Sequence, residues 1–291
     1  MEQTKGQMSG KVCMVTGANA GIGKVTALEL AKMGATVVMV CRDKAKGEAA
    51  QAELQSQSGN QGVDLFMADL SSQRAIRQLA QDFKDKYQQL HVLVNNAGIA
   101  QSKRILTEDG LESTFAINHL AYFLLTNLLL DVLKASAPAR IINVSSEAQA
   151  SGTINFNDLQ GEKKYSATRS YCQSKLANVL FTYELAKRLE GTGVTVNCLH
   201  PGAVATNFAK DTGGLFGLVS RLARPFELTP EKGAQTSIYL ASSPEVEGVS
   251  GKYFVNCKER NSSKESHDDL VQQRLWKVSE ELTNLTSVVA S

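Results

Sequence analysis

Tyr171 and Lys175 stand four residues apart within Ser170-Tyr171-Cys172-Gln173-Ser174-Lys175-Leu176-Ala177-Asn178. The stretch reads as part of one long amphipathic helix, in which that spacing puts the phenol and the ammonium on one face, a turn apart. A phenol of pKa about 10 transfers protons poorly at neutral pH, and a cation beside it favours the phenolate. Lowering that pKa to about 7 requires about 4 kcal/mol, close to the effect of one charge at about 4 Å with an effective dielectric of about 20. Tyr-x-x-x-Lys pairs are common on helix surfaces, so this one gains meaning only from the elements around it.

The first such element is Thr16-Gly17-Ala18-Asn19-Ala20-Gly21-Ile22-Gly23, between the apolar run Val12-Cys13-Met14-Val15 and the helical pattern Lys24-Val25-Thr26-Ala27-Leu28. Strand, glycine-rich turn and helix together make a dinucleotide-binding turn. Gly17 permits the tight turn and Gly21 lets the backbone approach a pyrophosphate. Gly23 lets the helix pack closely, with phosphates at its positive N-terminus. The competing reading is a βα turn with a structural role only.

The spacing is G-x-x-x-G-x-G, not G-x-G-x-x-G. With Asn95-Asn96-Ala97-Gly98, Asn118, Ser145-Ser146 and Tyr171/Lys175, the chain from about residue 10 to 257 resembles the short-chain dehydrogenase/reductase family. Val40-Cys41-Arg42-Asp43, Phe115-Ala116-Ile117-Asn118-His119-Leu120, Asn157-Asp158-Leu159-Gln160 and Ser250-Gly251-Lys252-Tyr253-Phe254 are similar to the retinol dehydrogenase branch, which also holds broad-range carbonyl reductases.

The pattern of the elements agrees. Apolar runs near 11–16, 35–41, 62–68, 91–95, 140–145, 194–199 and 252–255 read as strands. Helices fill the intervals near 22–33, 43–57, 72–87, 110–135, 170–190 and 230–242. Near-continuous apolar strands separated by helices imply a parallel sheet covered on both faces. The expected fold is α/β, a single Rossmann-type domain over 1–291, with a doubly wound parallel sheet of about seven strands. Within it, 203–226 is expected to be a substrate lid and 258–291 a C-terminal loop and helix. Ligands of such folds bind beyond the carboxyl ends of the strands, and Gly17, Arg42, Asp69, Asn95 and Ser146 all fall at or just after those ends.

Composition narrows the classes. The chain has 291 residues and a net charge of +2, which gives no reason to expect nucleic-acid binding. Its five cysteines are odd in number and widely spaced, as reduced core thiols of a cytoplasmic protein would be. Four scattered histidines offer no metal-ligand spacing, so no metal is expected. The start is polar, without a signal peptide, and the apolar Leu120 to Leu133 is too short to span a bilayer and reads as a buried helix. A soluble protein without a transmembrane anchor is expected, with peripheral membrane contact left open.

The resemblance implies roles for particular residues. Gly17, Asn19, Gly21, Ile22 and Gly23 would hold the cofactor's phosphates. Arg42 follows Cys41 where NAD-preferring relatives carry an acidic residue, so its guanidinium could take a 2′-phosphate and favour NADP(H); the alternative is that it pairs with Asp43 or with solvent. Asp69, with Leu70, would meet the adenine, or Asp69 would cap the next helix. Asn95 would bond across strands, and Asn96, Ala97 and Gly98 would leave room for the ribose. Pro201, Gly202 and Thr206 would turn over the nicotinamide. Tyr171 would exchange the proton with a carbonyl oxygen while hydride moves between NADPH and carbon, and Lys175 would lower its pKa and bond the ribose. Ser146 would hold the reacting oxygen, although periodicity alone does not separate it from Ser145. Asn118 would hold a water linking Lys175 to solvent, and the neighbouring His119 reads as packing.

Gly213-Gly214-Leu215-Phe216-Gly217-Leu218-Val219 combines hinge glycines with apolar side chains, as a lid over a lipophilic aldehyde or ketone would. Two other classes stay open. One is a catalytically silent nucleotide-sensing or interaction protein on the same fold. The other is a lipid-surface binding protein that uses the apolar segment.

Overall fold

The computed structural model describes residues 6–202 and 229–285. Eight strands form one sheet in the order β3-β2-β1-β4-β5-β6-β7-β8. They are β1 Val12–Thr16, β2 Thr36–Cys41, β3 Val63–Met67, β4 Val92–Asn95, β5 Ala139–Val144, β6 Val194–His200, β7 Lys252–Val255 and β8 Lys258–Arg260. Strands β1 to β7 are parallel, and β8 pairs antiparallel with β7. The seven expected strands are therefore all present. The eighth lies where a solvent-exposed loop was expected.

Because successive strand side chains point to opposite faces, alternate residues feed two cores. Met14, Val38, Val40 and Leu93 enter one cluster, with Phe83, Phe123 and Phe181. Cys13, Val15, Val37 and Met39 enter the other, with Leu28, Leu30 and Leu54. The second face is covered by α1 Gly21–Lys32, α2 Lys44–Ser58 and, later in the chain, Pro230–Ser242. The first is covered by α3 Gln73–Lys86, the helical run α4 Ser113–Phe115 to α5 Ala121–Leu128, α6 Leu130–Ala135 and α7 Ala167–Arg188. With Pro230–Ser242 as α8, the C-terminal helix Asp269–Leu282 is α9.

The single helix expected over 110–135 is instead divided. A π-helical turn, Ala116–Leu120, separates α4 from α5, and Leu129 separates α5 from α6. Trp276 of α9 anchors that helix edge-on against Phe123, 4.9 Å between ring centroids, with the Arg188 guanidinium 4.0 Å above its ring. No helix among the described residues is long and apolar enough to cross a membrane.

Candidate active site

The glycine-rich turn is shaped by close approaches. Gly17 sits at φ +68, and a Cβ there would lie 3.0 Å from the Ala97 backbone. A Cβ on Gly23 would meet the Asn96 side-chain nitrogen at 2.4 Å and the Gly17 carbonyl at 2.5 Å, which leaves glycine as the residue that fits. Asn96 reaches back from the end of β4 to donate to the Thr16 carbonyl at 2.7 Å. The Thr16 hydroxyl in turn accepts from the backbone of Asn96 at 2.9 Å and of Ala97 at 3.1 Å. Thr16 thus fastens the turn to the β4 rim. In the sequence Thr16 heads the glycine-rich motif, but nothing there shows what its hydroxyl holds.

Helix α1 begins at Gly21 with Ala20 as its N-cap residue and no side-chain cap, and its first turn holds no acidic residue. In contrast, α2, α3, α7, α8 and α9 are capped by Asp43, Ser72, Ser166, Thr229 and Asp268. Uncapped N–H groups at the positive end of a helix, reached through a tight glycine turn, form an anion site. The donor set, with no acidic residue in the first turn, fits the pyrophosphate of a dinucleotide. Asn19 and Ile22 flank Gly21 on this turn.

Three further expectations concern the adenosine side. Cys41 is buried at the end of β2, and Arg42 after it is exposed. Asp43 caps α2 and pairs with Lys46 at 3.1 Å, so Arg42 is not paired with Asp43 and stands exposed to solvent. Asp69 does not cap α3, a position that Ser72 holds. One of its carboxylate oxygens accepts from the Ser71 backbone at 2.9 Å and the Ser71 hydroxyl at 2.8 Å. Leu70 is buried in the core beneath this turn.

The carboxyl rim of the sheet brings the remaining residues together. Asn95 bonds across to Asn143 on β5 at 2.9 Å and to Thr126 at 3.0 Å, which ties the centre of the rim. Ser145 and Ser146 follow β5, and the structure separates their roles. The buried Ser145 hydroxyl donates to the Lys175 carbonyl at 2.8 Å. The Ser146 hydroxyl hydrogen-bonds with the Tyr171 phenol and also accepts from Ala148 at 3.2 Å.

Lys175, 3% exposed, donates from Nζ to the Val144 carbonyl at 3.1 Å, and its ammonium lies 5.7 Å from the centre of the Tyr171 ring. A Cβ on Gly98 would come within 3.6 Å of that ammonium, so the glycine leaves the space above it open. Burial lowers the Lys175 pKa to about 8. Tyr171 keeps some surface at the rim, yet the enclosure of its ring raises its pKa to about 12, with the Ser146 hydrogen bond opposing the rise. The direction is the reverse of the sequence expectation. In the protein alone, desolvation of the phenolate is the leading cause, and the Lys175 ammonium is turned toward the Val144 carbonyl.

Asn118 lies inside the π-helical turn, an arrangement often found at functional positions. It is fully buried. Its oxygen accepts from Ile99 N at 2.8 Å, and its nitrogen donates to the Ile99 carbonyl and to the Ser174 hydroxyl, both at 2.9 Å. The side chain therefore braces the segment after β4 against α7. His119 packs against Phe115, 5.1 Å between ring centroids, and bonds Ser279 of α9 at 2.9 Å, as a packing residue with one polar anchor. Pro201 and Gly202 follow β6 at the same rim. Thr206 and the expected lid over 203–226 lie outside the described residues.

Comparison with known proteins agrees with this arrangement. Residues 11–213 match the family model for short chain dehydrogenases. The chain is 48% identical to retinol dehydrogenase 14 of Homo sapiens over 96% of this chain and 88% of that protein. A Mycobacterium paratuberculosis crystal structure is 35% identical, with a TM-score of 0.77 over 95% of this chain and 94% of that one. The Pseudomonas aeruginosa RhlG/NADP active-site complex is 27% identical, with a TM-score of 0.69 over 86% and 96%. A chain with this sheet order, this rim and these relatives belongs to the short-chain dehydrogenase family, as an oxidoreductase of its retinol dehydrogenase-like branch.

Proposed function

We propose that the protein reduces lipophilic aldehydes or ketones, retinal-like compounds among them, with NADP(H) as its preferred cofactor. The observation that carries this reading is the convergence of the Tyr171 phenol, the Ser146 hydroxyl and the Lys175 ammonium at the sheet rim, on the side where α1 begins uncapped. A nicotinamide dinucleotide bound there supplies the hydride. Gly17, Gly21 and Gly23 with the α1 N-terminus hold its phosphates, and Asn96, Ala97 and Gly98 shape the ribose space. Pro201 and Gly202 border the nicotinamide end.

The phenol of Tyr171, kept protonated by burial, is ready at neutral pH to give its proton to a carbonyl oxygen. Ser146 orients the same oxygen, and a hydroxyl placed where negative charge develops stabilises the transition state. Lys175 is mostly cationic near pH 7, with a pKa of about 8. We assign it to the ribose and to the return of a proton to the phenol, with Asn118 bracing its helix and serving the water path to solvent. Preference for NADP(H) is supported by Arg42 next to the uncharged Cys41, with Asp43 engaged elsewhere. The lipophilic substrate class is supported by the retinol dehydrogenase relatives and by the apolar residues Leu215, Phe216, Leu218 and Val219 in the sequence.

NADPH oxidation measured with retinal, a medium-chain aldehyde and a short polar aldehyde tests the reading. The expected order of kcat/KM is the two lipophilic compounds above the polar one, with Tyr171→Phe losing about a hundredfold or more in kcat. A preference for the short polar aldehyde would overturn the substrate class. Near-normal turnover by Tyr171→Phe would overturn the assignment of the proton donor.

A further inference from the structure

Glu112 is 1% exposed, and a carboxylate so enclosed must be compensated by donors. It has three. One oxygen accepts from Thr114 N at 2.8 Å, and the other accepts from Phe115 N at 2.9 Å and from the Ser170 hydroxyl at 2.8 Å. The first two bonds cap α4, the start of the helical run that carries Asn118, where a negative charge is favoured. The third crosses to α7, at the residue immediately before Tyr171.

Capping alone does not need this side chain, because Ser, Thr, Asp or Asn at an N-cap satisfies the first turn. The length of glutamate lets one group close the first turn and also reach a second helix. Asn118 makes the companion link to Ser174, so the two cross-helix bonds meet α7 at 170 and 174, one on each side of Tyr171. The segment between Ser146 and α7 is fixed at the same point. Gln160 accepts from Glu112 N at 2.7 Å through its side chain and from Arg104 at 2.8 Å through its carbonyl.

We infer that Glu112 is a positioning residue for proton transfer, which sets the place of Tyr171 relative to Asn118 by clamping Ser170 to the first turn of α4. The inference rests on Tyr171 being the proton donor.

The test measures kcat, NADPH affinity by fluorescence and Tm in the full chain, with retinal as substrate. Glu112→Ala is expected to lower kcat about ten- to a hundredfold, as small misplacements of reacting groups do, with NADPH affinity unchanged. Glu112→Gln keeps the reach and one acceptor oxygen, which can still take the Phe115 N and Ser170 bonds while its NH2 meets Thr114 N, and should recover part of the turnover. Ser170→Ala, which leaves the cap intact, should lower kcat by a smaller factor. The double variant Glu112→Ala/Ser170→Ala should be no worse than Glu112→Ala alone. Asp268→Ala removes the α9 cap, two bonds at 2.9 and 3.2 Å, and serves as a control that lowers Tm with kcat kept. A wild-type kcat in Ser170→Ala overturns the proposal, because the bond between the helices has been removed with the α4 cap intact. So does a loss of kcat in Asp268→Ala equal to that in Glu112→Ala. With Tyr171→Phe in parallel, the two failures are distinguishable. An inactive Tyr171→Phe beside a fully active Glu112→Ala removes the positioning role alone, and an active Tyr171→Phe removes both.

Discussion

The Ser145 hydroxyl donates to the backbone carbonyl of Lys175 at 2.8 Å, a bond that seats the middle of α7 on the end of β5. Its consequence is a division of labour between adjacent serines, because Ser145 is turned into the structure and Ser146 faces the phenol. Ser146→Ala is expected to reduce kcat about a hundred- to a thousandfold, as the loss of a donor to the reacting oxygen does. Ser145→Ala should keep most of the turnover and lose about 1 kcal/mol of stability, the usual value of a buried hydrogen bond. Steady-state kinetics and urea unfolding of the two variants separate these outcomes.

Lys175 is a buried cation whose pKa falls from 10.5 to about 8. Since the folded value lies below the unfolded one, the unfolded chain binds the additional proton between those limits, and wild-type stability rises with pH across that window. Below about pH 8 the full cost of burying the charge is present, of the order of 3 kcal/mol. Lys175→Met should therefore be more stable than wild type at pH 7 without nucleotide, and inactive. The difference should close between pH 8 and 10.5, as denaturation at several pH values will show.

His119 is held neutral by burial, with its pKa lowered from 6.5 to about 3. In acid the unfolded chain takes up the proton that the folded ring refuses, so stability falls as the pH drops from 6.5 toward 3. The slope contributed by this one group is at most about 1.4 kcal/mol per pH unit. His119→Gln should show a shallower loss of Tm with acid over that range. A curve parallel to that of the wild type would show that the ring is charged in the folded protein.

Arg42 and Cys41 concern cofactor choice. Arg42→Ala should weaken NADPH binding about tenfold or more while leaving NADH unchanged, since a charge-assisted hydrogen bond to phosphate contributes about 1.5–3 kcal/mol. Cys41→Asp with Arg42→Ala should reverse the preference. Calorimetry decides it, and equal affinity of the wild type for the two nucleotides would remove Arg42 from that role.

Much of this molecule was legible before its structure. Seven apolar runs separated by helical patterns sufficed for a parallel sheet, because strands buried on both faces leave a continuous apolar record. The order of Gly17, Asn96, Ser146, Tyr171 and Lys175 along the chain carried the family resemblance. The π-helical turn around Asn118 left no such record, since a shift from i+4 to i+5 bonding has no residue signature. Strand β8 is three polar residues whose only sheet partner among the described residues is β7, so its existence depends on pairing and not on pattern.

The sequence by itself determined which residues end the strands and which share a helix face, because these follow from local periodicity, and the family resemblance implied that Asn118, Ser146, Tyr171 and Lys175 act together. The tertiary structure alone decided their states and partners: Ser145 against Lys175, Ser146 against Tyr171, Glu112 against Ser170. It also decided that burial raises the Tyr171 phenol, where the bare Tyr-x-x-x-Lys spacing pointed to a lowered one. The physical reason is that spacing sets only the distance between charges. Desolvation depends on everything packed around them, from segments remote in the chain.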